Sequence, residues 1–221
     1  MDIILIILII LIPLIADFNV KGTYKKYLKV KNNNGLTGQE VARQILDKHG
    51  LEKVYVVETS GYLSDHYDPK RKVVRLSKAV YEGETIASLA IAAHECGHAI
   101  QDKEGYSYMK FRSAIFPMVN VATSISYYII LIGIIAQILD LLYIGIALSF
   151  LGLLFQVVTL PVEFNASKRA KIELDKLNVV KRDEAKGVSK VLRSAALTYV
   201  AGVLASALQI LRLILIARNN D

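Results

Sequence analysis

The sequence predicts a mainly α-helical, membrane-embedded fold, with about four transmembrane helices and a small α+β domain facing the cytoplasm. Three observations lead there. The 221 residues are 53% hydrophobic with a mean hydropathy of +0.39, too apolar for an ordinary soluble domain and unlike a disordered chain. Ile and Leu are bunched into long blocks, with no Trp and only 8% aromatic residues, so the apolarity is segmental and not spread through one large core. Charge is segmental as well. Of the 27 Lys and Arg, 25 fall in residues 17–115 and 161–193, on one side of the apolar blocks, and retention of basic loops makes that side cytoplasmic. This placement explains the net charge of +7 without nucleic acid as a partner.

Residues 1–16 form the first element. Ile3 to Ala16 is apolar apart from Pro13, and Lys21, Lys25, Lys26, Lys29 and Lys31 follow it; a cleaved signal carries its positive charge before the apolar run, so a short transmembrane anchor with its N-terminus outside is expected. Residues 17–115 are polar. Asn32 to Gly35 reads as a turn-rich linker, and Thr37 with Glu40 three residues on predicts a capping box opening an amphipathic helix that ends at Gly50. The β-branched runs Val54 to Val57 and Lys72 to Leu76 predict a strand pair, joined through the polar stretch Thr59 to Arg71. The Ala and Ile content from about Glu84 to Gln101 predicts a buried helix. Two apolar blocks, Phe116 to Leu139 and Leu141 to Leu160, divided by Asp140, predict a transmembrane hairpin over residues 116–160. Residues 161–190 return to the cytoplasmic side. The last segment, 191–221, is interrupted by Arg193, Ser194, Thr198, Tyr199, Gln209 and Arg212, as befits a membrane helix that lines a protein interior or lies partly in the interface. Asp140 and Asp221 then fall at outer ends.

The single cysteine, Cys96, excludes an intramolecular disulfide framework and any structural zinc site built on two or more thiolates. The expected buried helix contains His94-Glu95-Cys96-Gly97-His98. Four residues are close to one helical turn, so both imidazoles project from one face and reach a single ion, with Glu95 beside them able to address a metal-activated water. By composition an HExxH arises by chance in about 0.3% of such chains, and burying two His and a Glu among Ala and Ile is costly without a function. Zn2+ suits the set, because it accepts imidazole nitrogen and carboxylate oxygen and keeps one position for water. Glu163 leads among candidates for a third ligand, since the hairpin returns the chain to the cytoplasmic side there. His49, in the last turn of the amphipathic helix, suits a role against the helix dipole. His66, in Ser64-Asp65-His66-Tyr67-Asp68-Pro69, reads three ways: a further ligand, a donor to the transition-state oxyanion, or a turn residue. Cys96 faces another side of the helix and reads as a packing residue, and Gly97 permits a close approach to a neighbouring element.

Five motifs carry a resemblance to a known family. They are Gly35-Leu36-Thr37-Gly38, Asp65-His66-Tyr67-Asp68-Pro69, Ala92-Ala93-His94-Glu95 through Gly97-His98-Ala99-Ile100-Gln101, Thr159-Leu160-Pro161-Val162-Glu163-Phe164, and Ala195-Ala196-Leu197-Thr198-Tyr199-Val200-Ala201. Together they resemble the YugP-type family of bacterial membrane zinc metallopeptidases, from Gly35 to about Arg212. The layout is similar to that of the HtpX-type membrane proteases. The resemblance implies a multi-pass protein of the bacterial cell membrane with a zincin-like catalytic domain, and by that analogy Glu163 is the third ligand of a gluzincin-like set. Two positions depart from the pattern: Asn165 stands where the family suggests Asp, and Ser167 stands where the HtpX-type proteases place an acidic residue.

The expected activity is peptide hydrolysis, with His94, His98 and Glu163 holding zinc and Glu95 as general base and then general acid. Its partners would be peptide or protein substrates, membrane proteins among them, and the lipid bilayer. His66 and Tyr199 are candidate oxyanion donors, Tyr199 also suiting helix packing, and the Lys72 to Leu76 strand could hold an extended substrate by strand addition. A non-catalytic zinc-containing scaffold and a metal transporter compete with this reading. Four spans are few for a transporter, and Glu95, a base beside the ligands, has no use in a purely structural site.

Overall fold

The computed structural model describes residues 2–219; Met1, Asn220 and Asp221 lie outside them, and with them the expected outer placement of Asp221. Four of the described helices are long and apolar enough to cross a membrane: α1 (Asp2–Tyr27), α5 (Ser107–Ala136), α6 (Leu139–Lys176) and α7 (Arg182–Asn219). Each extends beyond its apolar block at one end or both, although α5 stops at Ala136, short of the Leu139 that closes its block. The block ending at Ala16 is only part of the 26-residue α1, because the Lys residues beyond it are good helix formers and do not end it. Likewise Pro161 lies inside the 38-residue α6, so the polar segment expected to begin there is a continuation of the same helix. The chain divides into two compact units.

One unit comprises the described residues of 1–17, 107–161 and 197–221. Its hairpin between α5 and α6 turns at Gln137, whose φ is +57°, with the Ile138 amide donating to the Gly133 carbonyl at 2.9 Å. A β-carbon on Gly133 would come within 2.9 Å of the Leu142 nitrogen, so the two helices meet backbone to backbone. Ser126 Oγ lies 2.9 Å from the Gly145 carbonyl and 2.7 Å from Ser149 Oγ, and Gln156 Nε2 donates to Ser206 Oγ at 2.8 Å. Small residues and interhelical hydrogen bonds are how helices associate where lipid removes the hydrophobic drive. A buried cluster of Leu142, Ile146, Ile210, Leu213 and Ala217 accompanies them.

The other unit comprises residues 18–106 and 162–196. Helix α2 (Gly38–Lys48) opens on the expected capping box: Thr37 Oγ1 accepts from the Glu40 amide and the Thr37 amide donates to Glu40 Oε2 at 2.8 Å. Gly50, at φ +62°, follows its end. Three strands follow, β1 (Tyr55–Thr59), β2 (His66–Asp68) and β3 (Val73–Ser77), in the order β1-β3-β2. The expected strand pair is β1 and β3, and it is parallel, with Tyr55 opposite Val73. A polar turn was expected between them, yet β2 lies within that stretch and pairs antiparallel with β3, Tyr67 opposite Val74. This corrects the substrate expectation: β3 is paired on both sides, so it has no free edge for strand addition. Short α3 (Lys78–Tyr81) leads to α4 (Ile86–Glu104), capped by Thr85, whose Oγ1 accepts from the Ser88 amide, and ended by Gly105 at φ +65°. Ala87, Leu89, Ala90, Ala93 and Ile100 of α4 are buried in a core with Ile45, Leu46, Val74, Leu76 and Leu174.

Candidate metal centre

Helix α4 is buried almost all round, and its alanines let neighbours close on it. At its middle, His94 and His98 stand one turn apart, their rings edge to face with centroids 4.8 Å apart. Glu163 comes from α6 and is 3% exposed. Its Oε2 lies 3.3 Å from His94 Nε2 and 3.5 Å from His98 Nε2, and the three ligand atoms all lie within 4.8 Å of one another. Zinc bound tetrahedrally at about 2.0–2.1 Å sets its donors about 3.3–3.4 Å apart along each edge of the tetrahedron. Two separations already match, and two imidazoles with one carboxylate are a donor set zinc accepts, so the residues fit the ion.

Gly97 places the carboxylate. A β-carbon there would sit 2.7 Å from the Ala166 carbonyl oxygen and 3.1 Å from its Cα, so α4 and α6 touch through their backbones beside the ligands. This is the close approach expected from a lone glycine in the motif. Cys96, on another side of α4, is fully buried, with Sγ 3.5 Å from the Ala42 carbonyl oxygen; burial pushes its thiol well above the usual range, as suits a packing residue. Glu95 is 7% exposed. Burial raises its carboxyl above the ordinary range, against the opposing pull of His94 and His98.

Outside the ligands lies a hydrogen-bonded shell. His94 Nδ1 is 3.2 Å from Ser167 Oγ and His98 Nδ1 is 3.0 Å from Gln101 Oε1. Gln101 Nε2 donates to the Val162 carbonyl at 2.8 Å and to Asn165 Oδ1 at 3.0 Å. Arg169 Nε donates to the same Asn165 oxygen at 2.7 Å, and its Nη2 to Glu104 Oε2 at 2.6 Å. The departures at Asn165 and Ser167 therefore fall among polar contacts around the ligands. Sequence reasoning gave Gln101 no role; its only signal was its place three residues after His98, on the same helical face.

The remaining candidates are not in the cluster. His66 is exposed at the head of β2, its Nδ1 2.8 Å from the Ser64 carbonyl oxygen. The next residue, Tyr67, donates to Asp102 of α4 at 2.7 Å; successive side chains of a strand point to opposite faces, so His66 faces away from α4. His49 caps α2 with Nε2 3.0 Å from Glu173 Oε2, a contact beyond the dipole role expected of it. Tyr199 lies on α7, 39% exposed.

Four helices apolar enough to cross a membrane, with an HExxH helix and a carboxylate converging on its imidazoles, define a membrane-type chain carrying the His2Glu donor set used by zinc peptidases. The chain belongs to the family described as "Putative neutral zinc metallopeptidase", which matches residues 2–218. It is 46% identical over 205 residues to "Putative membrane protease YugP" of Bacillus subtilis (strain 168), covering 93% of this chain and 91% of that protein. The resemblance read from the motifs is borne out at the level of the family. No solved structure matches.

Proposed function

We propose that the protein is a membrane-bound zinc metalloendopeptidase whose site faces the cytoplasm. The observation that carries the reading is the convergence of Glu163 Oε2 on His94 Nε2 and His98 Nε2 at 3.3 and 3.5 Å, with Glu95 between the two histidines in sequence. Bound there, zinc supplies Lewis acidity that lowers the pKa of a water and polarises a carbonyl. The chain's own residues supply the rest. His94, His98 and Glu163 hold the ion, and Glu95 takes the proton from the attacking water and passes it to the leaving amine. The cytoplasmic orientation is supported by the 25 of 27 basic residues flanking one side of the apolar blocks.

An extended peptide would find its backbone partners on the outer edge of β1 or β2, since β3 is interior. We read His66 as a residue of the β2 edge and not as an oxyanion donor: on the strand face away from α4, His66→Ala should leave turnover little changed, whereas loss of an oxyanion donor costs about 10²-fold or more.

The deciding experiment compares wild type with Glu95→Gln, both purified in detergent, for bound zinc and for cleavage of an unfolded casein-like substrate. Zinc in both, with turnover in Glu95→Gln reduced about 10²–10⁴-fold, is expected. Zinc in both proteins with equal cleavage would remove Glu95 from the mechanism, and zinc with no cleavage in wild type would favour the scaffold.

A further inference from the structure

The two imidazoles differ in what holds the nitrogen turned away from Glu163. Ser167 Oγ, beside His94 Nδ1, is a hydroxyl that donates or accepts with equal ease, so it does not select a tautomer. Gln101, beside His98 Nδ1, has no such freedom. Its Nε2 faces the Val162 carbonyl oxygen at 2.8 Å, and a carbonyl only accepts, which makes Nε2 the donor end and turns Oε1 toward His98. A second constraint agrees. The Arg169 guanidinium only donates, so Asn165 Oδ1, which it reaches at 2.7 Å, is an acceptor; the same oxygen takes the second hydrogen of Gln101 Nε2 at 3.0 Å. Glu104 Oε2 holds Arg169 in turn. Since Oε1 accepts, the neutral His98 ring carries its proton on Nδ1 and presents the Nε2 lone pair toward Glu163.

We propose that Gln101, anchored by Val162 and by the relay Asn165–Arg169–Glu104, is a positioning residue that locks His98 in the Nδ1–H tautomer with Nε2 free for the metal. Ser167 leaves His94 without such a lock. The relay also joins α4 to α6, so it orients the ligand and fastens the helix that bears it. This inference rests on the metal-centre reading, and its test separates the two.

The full-length protein in detergent is stripped with a chelator, and zinc affinity is measured by competition with a chromophoric chelator. The Co2+ absorption spectrum and thermal unfolding without metal are recorded alongside. Wild type should bind zinc and His98→Ala should lose it; a wild type that takes up no zinc overturns the metal centre and this proposal with it. Given binding, Gln101→Leu is expected to weaken zinc about 10–100-fold and to shift the Co2+ bands, and Ser167→Ala to weaken it less than about tenfold. A folded Gln101→Leu whose zinc affinity and Co2+ spectrum match wild type, even with a lowered melting temperature, reduces Gln101 to a fastener and overturns the proposal while leaving the metal centre in place. Should Gln101→Leu fail to fold, Gln101→Met, which keeps the side chain's length and removes both ends of its amide, decides: a severalfold or greater loss of zinc affinity with shifted Co2+ bands supports the lock, and an unchanged affinity overturns it.

Discussion

Ile135, near the end of α5, is 74% exposed, whereas Ile45, in α2, is completely buried. The contrast runs through the two units. Ile3, Ile10, Phe116, Ile132 and Ile135 of the first stand open, and a small buried apolar cluster, with the hydrogen bonds of Ser126 and Gln156, knits its helices. In the second, Ile45, Leu46, Leu76, Leu89 and Ile100 vanish into one core around the HExxH helix. Apolar content therefore says different things in different places. In the first unit it matches a lipid solvent, and specificity is left to Gly133, Ser126 and Gln156; in the second it is the water-driven core that holds a polar site rigid.

That contrast can be broken experimentally at four points. Glu163→Ala removes a proposed ligand from the closely packed unit and should abolish stoichiometric zinc binding, read by metal analysis of the purified protein. Leu76→Ala empties a fully buried position and should lower stability by about 2–5 kcal/mol, measured as the shift in a reversible unfolding transition in detergent. Gly97→Ala presses a methyl group against the Ala166 backbone; a loss of about 1–3 kcal/mol is expected from overpacking, together with weaker zinc binding, because α6 must move and Glu163 moves with it. Ile135→Ala should change stability by no more than about 0.5 kcal/mol. A large loss at Ile135, or none at Leu76, would erase the distinction between the units.

What was legible in the sequence was local. Thr37 and Glu40 cap the helix they announce because the motif needs only four residues and their own amides. His94 and His98 share a face because four residues are one turn, whatever surrounds them. The third candidate donor needed the fold: Glu163 is 65 residues beyond His98 in the chain, and what pointed to it was the return of the helical hairpin together with the family resemblance, neither of which fixes its distance from the imidazoles. Strand β2 was illegible, since His-Tyr-Asp offers a single β-favouring side chain, Tyr67, and forms by pairing with β3. Apolar blocks do not mark helix ends, because hydropathy changes where lipid would end, while helix hydrogen bonding runs on through Lys, Glu and Ala to Lys176. Gln101 escaped notice because its role depends on four other side chains and one carbonyl, none adjacent to it.

Cys96 has one more consequence. It is the chain's sole thiol, shut inside the helix that carries the motif and held protonated by its surroundings. An alkylating reagent can reach it only when α4 opens. The ratio of its alkylation rate in the native protein to that in the unfolded chain therefore reports the opening equilibrium of the site itself, with no probe to engineer, and a metal that binds only the closed form should slow the reaction in proportion to its own saturation.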